Sequence, residues 1–302
     1  MARSPIVRPP RVLLLVSAAA TAFSVLATLV SESRAALQSG LVASAAFLGY
    51  VLLAGRAAPR VRSALATAIG LFALVMAVQL GWLAEQPMRN GWMEPFYAPL
   101  DGGGPGLSMR PLPPGILDHW RQLIDRERIA GVGLLLGVLC LAVAVRALPA
   151  RHRPKRTLLA RIVAALLLVV VAVDVWDSVD DAPLCGALVA GWPALLATLV
   201  AAAVLALSAG RADRRALVPL GALLVAVTAA VDLAHITASW STWWTAADHS
   251  RDAFLQIGIA VAVGGWADVS AAVRAALAFA GPALLAIGAL HASRDSDLTE
   301  PR

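Results

Sequence analysis

The sequence predicts an all-α polytopic membrane protein with about eight transmembrane helices. Of its 302 residues, 59% are hydrophobic and only 15% are charged, and the mean hydropathy is +0.75. Soluble domains do not have this composition. The apolar residues fall in blocks about 20 residues long, the length of helix that crosses roughly 30 Å of hydrocarbon. Because the blocks are continuously apolar rather than alternating, they exclude the strands of a membrane barrel.

Eight spans follow from these blocks. We predict them at residues 12–30, 36–54, 63–84, 129–146, 158–176, 187–209, 215–236 and 269–291. The first is too long for the core of a cleavable signal peptide, so we expect it to be retained. The stretch 253–291 has two interpretations, because Asp268 and Arg274 interrupt it. We prefer a short surface or re-entrant helix followed by the eighth span over two short crossings.

The charges of the connecting segments predict the orientation. Lys and Arg accumulate on the cytoplasmic side of membrane proteins. With the N-terminus inside, 17 of the 25 basic residues but only 4 of the 19 acidic residues fall on the inner side, which then carries +13 against −7 outside. We therefore expect a multi-pass protein of the cell membrane with both termini cytoplasmic. The cations lie beside the spans, where lipid headgroups and topology explain them better than a nucleic acid does.

A short motif recurs in the two halves of the chain. Ala54-Gly55-Arg56-Ala57 follows the second span, and Ala209-Gly210-Arg211-Ala212 follows the sixth. A tandem duplication of a four-helix unit would give this order, with halves 1–150 and 151–302. Four matching residues of common types are equally compatible with chance, so both interpretations stay open.

Two longer segments, 85–128 and 237–268, lie on the outer side. Apolar residues of Gly115–Arg128 recur with helical spacing, and we expect this stretch to lie on the membrane surface or to cap the bundle. Within the fourth span, Gly133 and Gly137 form a GxxxG pattern, which is typical of a close contact between helices.

All nine tryptophans fall on the outer half of the predicted topology. A belt of indoles at the headgroups is one explanation, although such belts normally occupy both interfaces. The other is a Trp-rich outer face where indole rings stack on a ligand or hold a cation. The candidate ligand-binding residues are Trp176, Trp240, Trp243, Trp244 and Trp266.

Acidic residues end the fifth span. Asp174 and Asp177 share one helical face, and Asp180 and Asp181 follow them. Their carboxylates could converge on a divalent cation or a cationic ligand, or act as acid–base groups. The competing interpretation is a solvated acidic loop that helps to set the topology.

A second polar group ends the seventh span. Asp232 and His235 are three residues apart and therefore share a face, and His249 and Asp252 repeat the pairing in the following loop. Two imidazoles and two carboxylates suit a transition metal, with His235, His249 and Asp252 as ligands, or a proton relay in which Asp orients His. Alternatively, Asp232 is simply hydrated at the headgroup boundary, although ionisable groups at such depth often serve a function.

These patterns favour a membrane component, transport-related or accessory, that binds a lipid, a small molecule or a membrane-protein partner at its outer face. The alternative is a membrane enzyme that acts on an amphipathic substrate at the outer leaflet. Its catalytic candidates are Asp174, Asp177, Asp232 and His235, used with or without a divalent or transition metal. A structural subunit of a larger complex is a third interpretation. Ion-coupled transport is disfavoured, because the predicted spans carry few charges near their centres.

Overall fold

The protein is an integral membrane protein built from helices. The computed structural model describes residues 11–30, 32–54, 58–84, 116–150, 154–177, 184–211, 216–248 and 264–297. They form α1 (Arg11–Leu29), α2 (Ser33–Leu52), α3 (Pro59–Ala84), α4 (Ile116–Arg146), α5 (Pro154–Asp177), α6 (Leu184–Ser208), α7 (Leu217–Asp248) and α8 (Gly264–Asp297). Each helix is long and apolar enough to cross a membrane. The predicted all-α polytopic fold is confirmed, and each predicted span matches one helix.

Successive helices run in opposite directions. The helices α1, α3, α5 and α7 end where α2, α4, α6 and α8 begin, and we call this the distal end of the bundle. We call the opposite end the proximal end. There Nη1 of Arg211 donates a hydrogen bond to the carbonyl oxygen of Leu148 at 2.8 Å, which links the segments that follow α6 and α4. At the distal end, Arg126 of α4 lies over the ring of Trp82 of α3, 5.6 Å from its centroid. The distal end corresponds to the predicted outer side.

The helices extend into both predicted outer segments. The helix predicted over Gly115–Arg128 is continuous with the fourth span, because α4 begins at Ile116. Its role as a cap of the bundle stays a prediction. No proline interrupts 116–146, and the backbone hydrogen bonds therefore continue into the span instead of turning. α7 runs on to Asp248, and residues 264–297 form one helix, a single crossing. The short helix expected at its start falls mainly in 253–263, outside the described residues.

Exposed apolar side chains cover much of the perimeter of the helical bundle. On α5 they form a continuous exposed stripe, consisting of Leu158, Leu159, Ile162, Leu166, Val169, Val170 and Val173. Soluble monomers rarely expose an apolar patch of this extent. The exposed face is therefore the lipid-facing surface, and the buried residues between the helices are largely Ala, Val and Leu.

Small residues allow the helices to approach closely. Ser17 and Ser24 of α1 donate hydrogen bonds to the carbonyl oxygens of Ala43 and Ala36 of α2 at 3.0 and 2.7 Å. Such bonds require neighbouring backbones without bulky side chains between them. In the GxxxG pattern of α4, a side chain at Gly133 would collide with Val75 of α3.

At Gly137, the second glycine of this pattern, an added side chain would likewise collide with the ring of Phe72 of α3. The predicted close helix contact of the GxxxG pattern is therefore confirmed. The two proposed halves also pack against each other, since α4 contacts α6 and α7, and α1 contacts α8. The tandem duplication itself stays a prediction.

The backbones of α7 and α8 approach each other closely at several glycines. A Cβ atom added at Gly221 would collide with the backbone nitrogen of Leu285 and lie 2.7 Å from the carbonyl oxygen of Gly281. One added at Gly281 would lie 2.9 Å from the nitrogen of Val225. These atoms belong to the main chain and cannot move aside as a flexible side chain can, so the contact requires glycine.

We predict that Gly221→Ala destabilises the protein by about 1–3 kcal/mol, because the added methyl group overpacks a backbone contact. Gly70→Ala is the matched control. Nothing lies within 4 Å of a Cβ at Gly70, and alanine is the better helix former. Thermal unfolding of the purified proteins in the same detergent measures both. An unchanged melting temperature for Gly221→Ala would show that α7 and α8 are not in backbone contact.

Candidate functional site

Four ionisable side chains from three helices meet in the distal part of the bundle. Nε2 of His235 in α7 lies 3.2 Å from Oε1 of Glu127 in α4. Nη1 of Arg274 in α8 lies 3.7 Å from Oδ1 of Asp232 in α7. The Asp232 carboxylate interacts electrostatically with all three of the other groups. We call Glu127, Asp232, His235 and Arg274 the distal cluster.

The register of α7 against α8 brings Asp232 and Arg274 together. Val218 meets Gly288, Gly221 meets Leu285, and Val225 meets Gly281. Each step of three or four residues forward along α7 is matched by the same step back along α8. Seven residues beyond the Val225–Gly281 contact, which is two helical turns, the same register brings Asp232 to Arg274. The ion pair therefore lies on the same line of contact between α7 and α8 as the glycines.

The opposite face of α7 packs on α6, and this leaves Asp232 and His235 directed toward α4 and α8. Leu233, Ile236 and Thr237 are buried, and a Cβ added at Gly191 of α6 would touch all three. This side of α7 is therefore committed to packing on α6. Asp232 and His235, predicted to share a face, point toward the ionisable groups of α4 and α8 instead.

The cluster lies inside the apolar spans, near their distal ends. Glu127 and Arg274 are each three residues from the end of their span, and Asp232 is nine residues from Ser241, where the apolar stretch of α7 ends. At 1.5 Å per residue the last distance is about 13 Å. An unpaired charge within a span costs free energy. The pairs between helices offset this cost for the four residues of the distal cluster.

One oxygen of the cluster is buried without a hydrogen-bond partner. The Glu127 side chain is 35% exposed overall and its Oε1 faces His235, but Oε2 is buried and accepts no hydrogen bond within the part of the chain that the structure describes. A buried carboxylate oxygen that accepts nothing costs free energy. Within the described residues, one acceptor of the distal cluster is therefore left unsatisfied.

A cleft of about 240 Å³ adjoins the distal cluster between α7 and α8. Its walls are Thr228, Val231, Val273, Arg274 and Leu277. Val231 and Val273 are exposed to the lipid, so the cleft opens sideways. Leu277 lies about 4.5 Å deeper than Arg274 along α8. The cleft is thus apolar along its depth and has a guanidinium group toward its distal end.

Asp174, the one acidic residue predicted on α5 whose side chain the structure describes, is not a member of the distal cluster. Asp174 is exposed near the distal end of α5, and Asp177 ends that helix with a side chain outside the described residues. His249 and Asp252 also lie outside the described residues, so the predicted ligand set of His235, His249 and Asp252 stays a prediction. Within the described ranges, no three His, Cys, Asp or Glu side chains are grouped so that they could hold a metal ion.

Two of the predicted tryptophans of α7 have a packing role. Trp240 and Trp244 stack with ring centroids 6.3 Å apart, and both pack on a buried apolar cluster that includes Val175 and Leu233. Trp240 also fills the space left by Gly186, where a Cβ would lie 2.6 Å from its ring. Trp176 is 68% exposed near the end of α5.

The two other tryptophans, Trp243 and Trp266, belong to α7 and α8, and their side chains are outside the described residues. Ligand binding by the five tryptophans stays a prediction.

Two members of the distal cluster were not singled out from the sequence. Glu127 falls in Gly115–Arg128, for which the sequence predicts a helix on the membrane surface or capping the bundle, and Arg274 interrupts the apolar stretch 253–291. A signal existed for Arg274, because an arginine inside a predicted span indicates a functional or paired position. No local pattern pairs Glu127 with His235, since 108 residues separate them in the sequence.

Comparison with known proteins adds no family to this description. No protein-family model matches the chain, and no curated protein or solved structure matches it.

We predict that Arg274→Gln destabilises the protein by about 1–3 kcal/mol, because the Asp232 carboxylate then loses its cationic partner inside the span. The double variant Arg274→Gln with Asp232→Asn should be more stable than Arg274→Gln alone, since no unpaired charge is left. Thermal unfolding in one detergent compares the three proteins. A double variant no more stable than Arg274→Gln alone would mean that the two residues are not coupled.

Proposed function

We propose that the protein binds an amphipathic molecule, a lipid or a small molecule with an apolar tail, at its distal end. In this proposal it serves as a non-catalytic or transport-related membrane component. The proposal rests on Arg274, because its side chain belongs to both the distal cluster and the cleft. The same side chain pairs with Asp232 and forms a wall of the apolar cleft, so a polar and an apolar binding surface adjoin.

The two surfaces would hold different parts of one ligand. The tail would lie in the cleft against Val231, Val273 and Leu277, where it would make van der Waals contacts with these apolar side chains. The head would lie at the distal cluster. There the Arg274 guanidinium would donate hydrogen bonds to oxygen atoms of the ligand's polar head.

A membrane enzyme is the second candidate, and the contact between His235 and Glu127 favours it. A carboxylate within 3.2 Å of an imidazole can orient the ring and stabilise its protonated form, as a general base requires. His235 would then act on an amphipathic substrate at the outer leaflet, and Asp232 would assist. Zinc, copper or manganese bound stoichiometrically to the purified protein, and absent from an Asp232→Asn, His235→Ala variant, would favour the enzyme.

We also propose that the distal end is extracytoplasmic and that both termini lie in the cytoplasm. The excess of basic residues on the proximal side supports this orientation. Cys185, the second residue of α6, marks the distal end. An impermeant maleimide should label it on intact cells, and labelling only after permeabilisation would reverse the orientation.

The binding proposal predicts that the wild-type protein, released from its membrane, retains an amphipathic molecule. Native mass spectrometry should show one added mass on the full chain. The added mass should disappear in Val273→Trp, because the indole fills the cleft, and it should weaken in Arg274→Gln. The control is Val42→Trp on α2, since Val42 and Val273 are both 52% exposed but only Val273 lines the cleft.

Three results would contradict the proposal. They are a wild type without an added mass, equal retention by Val273→Trp and Val42→Trp, and a polypeptide as the retained molecule. The last would identify the distal end as a site for a membrane-protein partner.

A further inference from the structure

A second and larger groove lies at the opposite end of the bundle, between α3 and α4. Its volume is about 510 Å³. One helical stripe from each helix lines it. The stripe on α3 consists of Arg60, Ser63, Ala64 and Thr67. The other consists of Cys140, Val143 and Arg146 on α4, with Ala147 just after the helix end. It shares no residue with the distal cluster or its cleft.

The groove has a charged end and an apolar depth. Arg60 is the second residue of α3 and Arg146 is the last residue of α4, so both lie at the proximal boundary of the spans. Thr67 and Cys140 are seven and six residues deeper, about 9–10 Å along the helix axes. Ala64 and Val143 line the groove between these two levels. The wall thus changes from cationic to largely apolar over the depth at which a lipid changes from headgroup to acyl chain.

Among the residues that the structure describes, the two arginines have no anionic partner. Neither Arg60 nor Arg146 forms an ion pair with any residue in the described ranges, whereas Arg128 lies 3.0 Å from Asp125 and Arg274 lies 3.7 Å from Asp232. Two exposed guanidinium groups on one groove repel each other and attract an anion. Basic pockets between transmembrane helices hold the headgroups of anionic lipids for this reason.

We propose that the α3–α4 groove binds an anionic phospholipid of the surrounding membrane. Its phosphate would lie between Arg60 and Arg146, where guanidinium groups can form charge-assisted hydrogen bonds. One acyl chain would run down the groove past Ala64 and Val143 toward Cys140. A soluble anion would use only the charged end. The depth and the apolar walls therefore identify a lipid as the occupant.

The test is a lipid titration of the full chain in detergent, followed by native mass spectrometry. The probes are dioleoyl phosphatidylglycerol, which is anionic, and dioleoyl phosphatidylcholine, which has the same chains and no net charge. The wild type should bind the first phosphatidylglycerol about tenfold more tightly than phosphatidylcholine. Equal affinities would overturn the proposal.

The arginines are tested by removing both charges. Arg60→Gln with Arg146→Gln should abolish the preference for phosphatidylglycerol. The control is Lys155→Gln with Arg156→Gln, which removes two exposed cations from the proximal end of α5 and should leave the preference unchanged. Equal loss in both double variants would show a general charge effect and overturn the proposal.

The groove is tested separately, with both arginines in place. Val143→Trp fills it, and Val169→Trp on α5 is the control, because the two valines are 58% and 59% exposed. We expect Val143→Trp to lose about tenfold in affinity for phosphatidylglycerol and Val169→Trp to lose none. If the arginine variant does not fold, this comparison decides alone, and equal affinities of the two tryptophan variants would overturn the proposal.

Discussion

The backbone contact between α7 and α8 is the constraint on which the described site depends. Glycines on both helices let the main chains touch, at Gly221 on α7 and at Gly281 and Gly288 on α8. In a bilayer there is little hydrophobic driving force between helices, so close packing and interhelical polar contacts must hold them together. This contact fixes the register of the two helices. The same register brings Asp232 and Arg274 together two turns farther along.

The polar residues of the site follow from that register and from the membrane. A lone aspartate, glutamate or arginine within a span would be strongly unfavourable. Each described member of the cluster instead has a partner on another helix, and the pairs connect α4, α7 and α8. The pairs offset the desolvation of the charges, but they leave Oε2 of Glu127 without a donor. A bundle held by packing alone would not need these residues, which is why we assign them a binding role.

The sequence predicted the fold well because the membrane imposes a simple rule. Every backbone polar group must be satisfied within the span, so a continuous apolar block of about 20 residues becomes a helix. The rule says nothing about how far a helix continues beyond the span, so it does not predict that residues 116–128 form one helix with the fourth span. Helix α4 extends outward because no proline or other interruption ends it before Ile116.

The candidate site was predicted only in part. Asp232 and His235 could be placed together because a spacing of three residues puts them on one helical face. Their partners Glu127 and Arg274 come from helices far away in the sequence, and only the packing of the bundle shows which charges meet. The cleft and the α3–α4 groove were not predicted either, because they are gaps between side chains of two helices, and gaps have no sequence pattern.

The most direct test of the account is a cryo-electron microscopy map of the full chain in discs of its native membrane. We predict an elongated density in the cleft between α7 and α8, with its polar end beside Arg274 and its tail against Leu277. An empty or closed cleft, in a map that resolves lipids on the exposed face of α5, would contradict the proposal that the distal end is a binding site.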